Sequence, residues 1–259
     1  MTISNQLTPK ATIPWFKQWF DSAHYHKLYG NRNEREAATF INNLISYLEP
    51  ARNATMLDLG CGAGRHAREL ALRGFNVTGI DLSSSNIRLA KKLEIPLLRF
   101  IRHDMRIPFG NQYFDFIFNF FTSFGYFKTQ NENNGVVRNM SNALKAGGTL
   151  VLDYMNVEYV EDRLVPNERK EIDGISYSIN RWTDDRFIFK KIMVDDESGN
   201  EPIETTEQVA KFRLDDFEKM FQAAELSIVE TFGDYQLNSF DLKSSPRLII
   251  VAQKTSPIG

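Results

Sequence analysis

The chain has 259 residues, 42% of them hydrophobic, with 20 Phe and 9 Tyr, so it can bury the core of one large domain or of a domain with a sub-domain. A formal net charge of −2 offers no general attraction to nucleic acid or to an anionic membrane, and neither is expected as a partner. No stretch approaches the roughly 18 apolar residues of a spanning helix, the opening MTISNQLTPKATIPWF lacks a signal-peptide core, and the single cysteine, Cys61, suits a reducing compartment; a cytoplasmic protein is expected.

Residues 1–13 are polar and promise no element. From Pro14 the aromatics take helical spacing: Trp15 and Trp19 lie four apart, as do Phe16 and Phe20. NEREAATFINNLISYLEP predicts an amphipathic helix with Phe40, Ile41, Leu44, Ile45 and Leu48 on one face, ended at Pro50. Strands and helices then alternate. Strands are predicted over Met56–Leu59, Asn76–Asp81, Leu97–His103, Tyr113–Phe121 and Thr149–Tyr154. Helices are predicted over Arg65–Arg73, closed by Gly74, over Ser84–Leu93 with serines to cap it, and over Glu132–Leu144. Such alternation implies a mostly parallel sheet with helices on both faces.

After Asn156 the period drops to two. KEIDGISYSINRW, RFIFKKIMVDD and IETTEQVAKFRL, separated by DD and ESGN, read as an antiparallel meander. A helix over Leu214–Ala224 and strands over Ser227–Phe232 and Arg247–Gln253 follow, and these strands are expected to rejoin the main sheet. The organisation expected is a helical segment at 1–53, an α/β domain at 54–156 and 214–254, and an inserted antiparallel sub-domain at 157–213.

The stretch LDLGCGAGRHARELALRGFNVTGIDLS places a glycine turn between a strand and a helix. Gly60 and Gly62 fit the dinucleotide pattern G-x-G-x-x-G, but its sixth position is Arg65, and Gly64 comes one residue early. Asp58, two residues before the first glycine, would repel a pyrophosphate and attract a cation. This disfavours a nicotinamide-dependent oxidoreductase. Asp81 ends the second strand, 81 − 60 = 21 residues after Gly60, where a carboxylate can accept from both ribose hydroxyls.

DLGCGAG, with GIDLS closing the second strand, HDM closing the third and LKAGGTLVLDY leading into the fifth, resembles the class I S-adenosylmethionine-dependent methyltransferases over residues 20–156 and 214–254. FTSFGYF and SSPRLIIVAQK resemble a bacterial subfamily acting on small molecules. The resemblance implies a Rossmann-like, seven-stranded, mostly parallel sheet plus the inserted antiparallel sub-domain. It also implies S-adenosylmethionine as cofactor, which carries an ammonium, a carboxylate and a sulfonium but no phosphate. On that reading Asp58 accepts from the ammonium, directly or through water. Gly60, Cys61 and Gly62 bring backbone close to the methionine part. Asp81 with Leu82 meets the ribose, and Asp104 with Met105 meets the adenine. Asn119 and Phe120 lie beside the transferable methyl. The N-terminal segment becomes a lid, with Tyr29 and Arg32 at the methionine end. Cys61 is expected as a small turn residue and His66 as structural.

Methyl transfer is an in-line displacement at an activated carbon, so alignment and desolvation dominate. A base is required only for an acceptor that arrives protonated. No catalytic residue stands out and no metal is expected. His24, Tyr25, His26, Tyr29 and Tyr154 are candidates for the acceptor side. Phe120, Phe121, Phe124 and Tyr126 belong either to a pocket wall or to the core. NFFTSFG lacks the Asn-Pro-Pro-Tyr grip on a planar amide-like nitrogen. The expected acceptor is a small molecule, methylated on N, O or C, with the chain as monomer or homodimer; the alternative is a non-catalytic S-adenosylmethionine-binding sensor or scaffold. The insertion, leaving just after Tyr154 at the carboxyl edge of the sheet, is the expected specificity element.

Overall fold

A computed structural model describes residues 14–30, 34–195 and 203–255. Three helices come first: α1 Trp15–Trp19, α2 Ala23–Leu28 and α3 Glu34–Leu48. The alternating part follows as β1 Thr55–Leu59, α4 Arg65–Leu72, β2 Asn76–Asp81, α5 Ser84–Ala90 with a 3₁₀ turn at Lys91–Leu93, β3 Leu98–Arg102, β4 Phe114–Asn119, α6 Gln130–Ala143 and β5 Leu144–Met155. The insertion contains α7 Val157–Asp162, β6 Asn167–Ile172, β7 Ile175–Thr183, β8 Phe187–Asp195 and β9 Ile203–Ala210. The chain returns through α8 Leu214–Gln222, β10 Leu226–Phe232 and β11 Arg247–Lys254.

The main sheet has seven strands in the order β10-β11-β5-β4-β1-β2-β3. β1 to β5 run parallel, and β11 is antiparallel to both β5 and β10. The central strands are buried on both faces, which is why Met56, Leu57, Leu59, Leu150, Val151 and Leu152 form apolar runs rather than an alternation. The strand order reverses between β1 and β4. Beyond the carboxyl ends of these two strands a crevice opens, where ligands bind in such sheets.

The insertion departs from the expected continuous meander. α7 opens the segment, ahead of the first expected strand, and KEIDGISYSINRW spans parts of two strands. The chain reverses at Asp173–Gly174, both with positive φ (53° and 73°), the conformation that an Asp-Gly hairpin turn requires. The sheet therefore has four strands, β6-β7-β8-β9, all antiparallel. The ESGN turn expected between β8 and β9 lies outside the described residues. One face of the sheet presents Ile175, Tyr177, Ile179, Ile192 and Val194. These pack with Trp19 and against Trp15, Phe20, Tyr25, Leu28 and Tyr29 of the N-terminal helices. Among the described residues no helix is long and apolar enough to cross a membrane.

Candidate active site

β1 runs straight into the glycine loop. Gly60, Gly62 and Gly64 have φ of 77°, 56° and 88°, a region closed to most side chains. Gly64 has a packing role as well: a Cβ there would lie 2.5 Å from the Phe100 ring, so its absence lets α4 begin hard against β3. The loop is tied to the end of β2 through Asp81. One carboxylate oxygen of Asp81 accepts from Gly62 N at 2.8 Å, the other from Ser83 N at 2.8 Å. Burial pushes this carboxyl upward, and the two backbone donors oppose the shift. Each oxygen retains lone-pair capacity, so Asp81 can still accept from vicinal hydroxyls.

Asp58 and Asn119 stand behind this loop, not on the crevice wall. Asp58 is 1% exposed and accepts from Ala67 N at 3.1 Å, bracing the first turn of α4. Burial raises its pKa to about 7, helped by the charge of Asp81 and opposed by the Ala67 amide. Asp58, expected to accept from a ligand ammonium directly or through water, is outside the crevice lining and has one oxygen engaged by the start of α4. Asn119 donates to Leu59 O at 2.7 Å, while its buried Oδ1 has no partner among the described residues.

The crevice encloses about 290 Å³, at the small end of the range for small-molecule sites. Its lining includes Gly60, Cys61, Gly62, Arg65 and His66 from the loop and α4. Asp81 and Leu82 come from the end of β2, Asp104 and Met105 from the end of β3, and Phe120 and Phe121 from the end of β4. The N-terminal segment closes the remaining side with Phe16, Phe20, Tyr25, His26 and Tyr29. That segment is anchored by Asp21, which accepts from Ser83 Oγ at 2.6 Å, Ser84 Oγ at 2.9 Å and Ser85 N at 2.8 Å at the start of α5. Burial alone would raise the Asp21 carboxyl, but these donors hold it well below the usual range. Asp104 has a resident cation: Arg106 donates to it through Nε and through Nη2 at 2.8 Å, and also reaches Glu132.

The core takes Phe124, for which pocket wall and core were both open, and Tyr154, which was expected on the acceptor side. Phe124 is fully buried against Phe212 and Phe217, on the far side of the sheet end from the crevice lining. Tyr154 is also fully buried, and its hydroxyl donates to Ala210 O at 2.6 Å, tying β5 to the end of the insertion. Both belong to the core because β5 and the 120–127 turn face α8 there. His24 packs towards Tyr177 of the inserted sheet, outside the lining, and Arg32 lies outside the described residues.

Phe121, a candidate for the pocket wall, does line the crevice, but two groups of supporting residues were not foreseen from the sequence. Phe121 and Thr122 follow β4 in left-handed conformation (φ 59° and 58°), unusual for side chains of their size. They are clamped from β5 and β11. Asp153 Oδ2 accepts from Phe121 N at 2.7 Å and from Tyr235 Oη at 3.1 Å, Asp153 O accepts from Thr122 N at 2.9 Å, and Arg247 reaches both Asp153 Oδ1 and Thr122 Oγ1. The second group, Lys190 and Glu207, comes from the inserted sheet and meets Tyr29. A charge on an otherwise apolar strand face, as at Asp153 in LVLDY, was the available signal for the first group.

Residues 56–148 match the family model described as a methyltransferase domain. YqeM of Bacillus subtilis (strain 168), named a methyltransferase without a stated acceptor, is 26% identical over 213 residues, 78% of this chain and 85% of that protein. The dTDP-3-amino-3,4,6-trideoxy-alpha-D-glucopyranose N,N-dimethyltransferase of Streptomyces venezuelae is 23% identical over 212 residues, 79% of this chain and 89% of that one. Among solved structures, an S-adenosylmethionine-dependent methyltransferase from Clostridium acetobutylicum ATCC 824 superposes with a TM-score of 0.75 at 19% identity, covering 90% of this chain and 98% of that one.

Proposed function

We propose, on the premise that this chain belongs to the class I S-adenosylmethionine-dependent methyltransferases, that it methylates an amine on a small polar acceptor held beneath the N-terminal helices. The observation that carries this reading is the chemistry of the crevice wall. It joins carboxylates at Asp81, Asp104 and Glu34 to the rings of Tyr25, Tyr29, Phe120 and Phe121. Carboxylates and aromatic faces attract cations. They suit a sulfonium cofactor and a substrate that becomes an ammonium on methylation. The amino-sugar activity named for the Streptomyces venezuelae relative is of this class.

In this reading Asp81 accepts from the ribose hydroxyls while Gly62 N keeps its carboxylate in place. Leu82 and Met105 pack beside the sugar and the base. Asp104 offers the adenine amino group whatever capacity its pairing with Arg106 leaves. Gly60 and Cys61 bring backbone to the methionine part, and Asn119 supports them from behind by donating to Leu59 O. When bound, the cofactor supplies a methyl activated by its sulfonium. Phe120 and Phe121 exclude water from the line of attack, and Tyr25 and Tyr29 hold the lid over it. The lone buried Cys61 supports a reducing, cytoplasmic setting.

The test is methyl transfer from labelled S-adenosylmethionine to a panel of amino sugars, aliphatic amines, phenols and carboxylic acids. N-methylated product is expected, and transfer confined to oxygen or carbon acceptors would overturn the amine assignment. Asp81→Asn should weaken S-adenosylhomocysteine binding about tenfold or more, because a charge-assisted acceptor becomes a neutral one. Calorimetry showing undiminished affinity would remove Asp81 from the site.

A further inference from the structure

The inserted sheet packs against three residues that line the crevice, Phe20, Tyr25 and Tyr29, and reaches Tyr29 through hydrogen bonds as well. Tyr29, at the end of α2, lines the crevice with its ring and reaches the sheet with its hydroxyl. That hydroxyl donates to Glu207, lying 2.7 Å from Oε1 and 2.9 Å from Oε2, and accepts from Lys190 Nζ. Trp19 Nε1 donates to the same Glu207 Oε1 at 2.6 Å. Lys190 and Glu207 are direct cross-strand partners on β8 and β9, with Nζ 4.0 Å from the carboxylate. Their side chains keep only 18% and 15% of their exposure.

A charged pair shielded this far from water gives little net stability and is readily replaced by apolar packing. The same face is apolar at Ile175, Tyr177, Ile179, Ile192 and Val194, while Lys190 has Arg181 as its neighbour across the other strand pair, and Arg181 is itself paired with Glu168. What the pair adds is direction. One carboxylate fixes two donors from two different helices, and the ammonium fixes the phenolic oxygen between them. Asp21 anchors the opposite flank of the segment to α5. The segment is thus pinned to the cofactor domain on one side and to the insertion on the other.

We propose that Glu207 is a positioning residue for this site: by holding Tyr29 and Trp19 it seats the tyrosine wall over the bound cofactor and makes cofactor retention depend on the inserted sheet. The inference rests on the proposed cofactor site in this crevice. It gives the insertion a part in cofactor binding, in addition to the acceptor choice its position suggests.

The experiment uses the full chain and S-adenosylhomocysteine as probe. Affinity is measured by calorimetry, and melting temperature in parallel, for the unaltered chain, Glu207→Gln, Tyr29→Phe and the double variant. Each single variant should weaken binding by about three- to tenfold with little change in melting temperature. The double variant should be no weaker than the worse single one, because both remove the same contact. Independent, multiplying losses, or unchanged affinity in both single variants, would overturn the proposal. Should Glu207→Gln fail to fold, Tyr29→Phe decides alone, since it leaves Glu207 paired with Trp19 and Lys190. An unaltered chain that does not bind S-adenosylhomocysteine would overturn both the site and this inference, whereas binding retained by the variants overturns only the positioning role.

Discussion

Arg247→Met should unlock the turn that forms the crevice floor. Asp153 is 1% exposed, and among the described residues Arg247 is the cation paired with it, donating through Nε at 2.7 Å with Nη2 2.6 Å from the same oxygen; Nη2 also donates to Thr122 Oγ1 at 2.9 Å. Methionine fills much of the arginine volume but leaves the carboxylate with Phe121 N and Tyr235 Oη alone. Breaking a buried pair from one side costs about 3–5 kcal/mol. The 17% exposure of the arginine side chain favours the lower end of that range. A loss of about 3 kcal/mol corresponds to a fall in melting temperature of roughly 6 °C or more for a chain of this size. The strained Phe121–Thr122 turn loses its clamp together with the pair, so S-adenosylhomocysteine affinity should fall as well. Adding Asp153→Asn removes the stranded charge and still offers Phe121 N an acceptor. The double variant should therefore recover about 1–2 kcal/mol relative to the sum of the two single losses. Urea unfolding followed by tryptophan fluorescence gives all three values. A loss below about 1 kcal/mol for Arg247→Met, or strict additivity in the double variant, would refute the clamp.

Asp58 makes stability depend on pH in a direction opposite to a salt-bridged carboxylate. Its folded pKa stands near 7 against 3.8 for the free group, so the folded state holds the proton more tightly than the unfolded chain. The stability linked to that proton is whole below about pH 4 and is lost as pH rises through about 7. Asp58→Asn should gain on the unaltered chain between about pH 5 and pH 8, by at most a few kcal/mol, and a thermal-melt difference that stays flat with pH would refute this. Gly64→Ala should cost about 2–4 kcal/mol, adding a left-handed penalty to a clash with Phe100; a loss under about 0.5 kcal/mol in urea would show that the ring can yield.

Local chemistry explains what was legible beforehand. The apolar runs of β1 and β5, the glycine turn and the acid ending β2 are each written within a few neighbouring residues, and the structure has them in the expected elements. Asp173–Gly174 was equally local, yet it was absorbed into a longer alternation, because a two-residue hairpin barely interrupts a period of two. Phe124 and Tyr154 misled for a different reason. Position near a strand's carboxyl end reads as facing the crevice, whereas both side chains turn to Phe217 of α8, far along the chain from either. Asp153, Arg247, Tyr235, Lys190 and Glu207 meet their partners only through sheet register and the packing of the insertion, and nothing in their own neighbourhoods specifies those pairings.

The inserted sheet also shows why its position in the chain was an incomplete guide to its role. It leaves the main sheet at the crevice end, which by itself suggests a cover placed directly over the acceptor. Each of its strands, however, has one apolar face that must be buried. The surface that buries Ile175, Tyr177, Ile179, Ile192 and Val194 is the outer side of α1 and α2. The crevice therefore has two layers above it, tyrosines first and sheet second, with Lys190 and Glu207 at their seam. An acceptor that shifts the sheet must then act on Tyr29, and a cofactor that settles Tyr29 must act on the sheet, since the same hydroxyl belongs to both. On the proposed positioning role, the factor by which an acceptor seated against the sheet tightens the cofactor must equal the factor by which the cofactor tightens that acceptor.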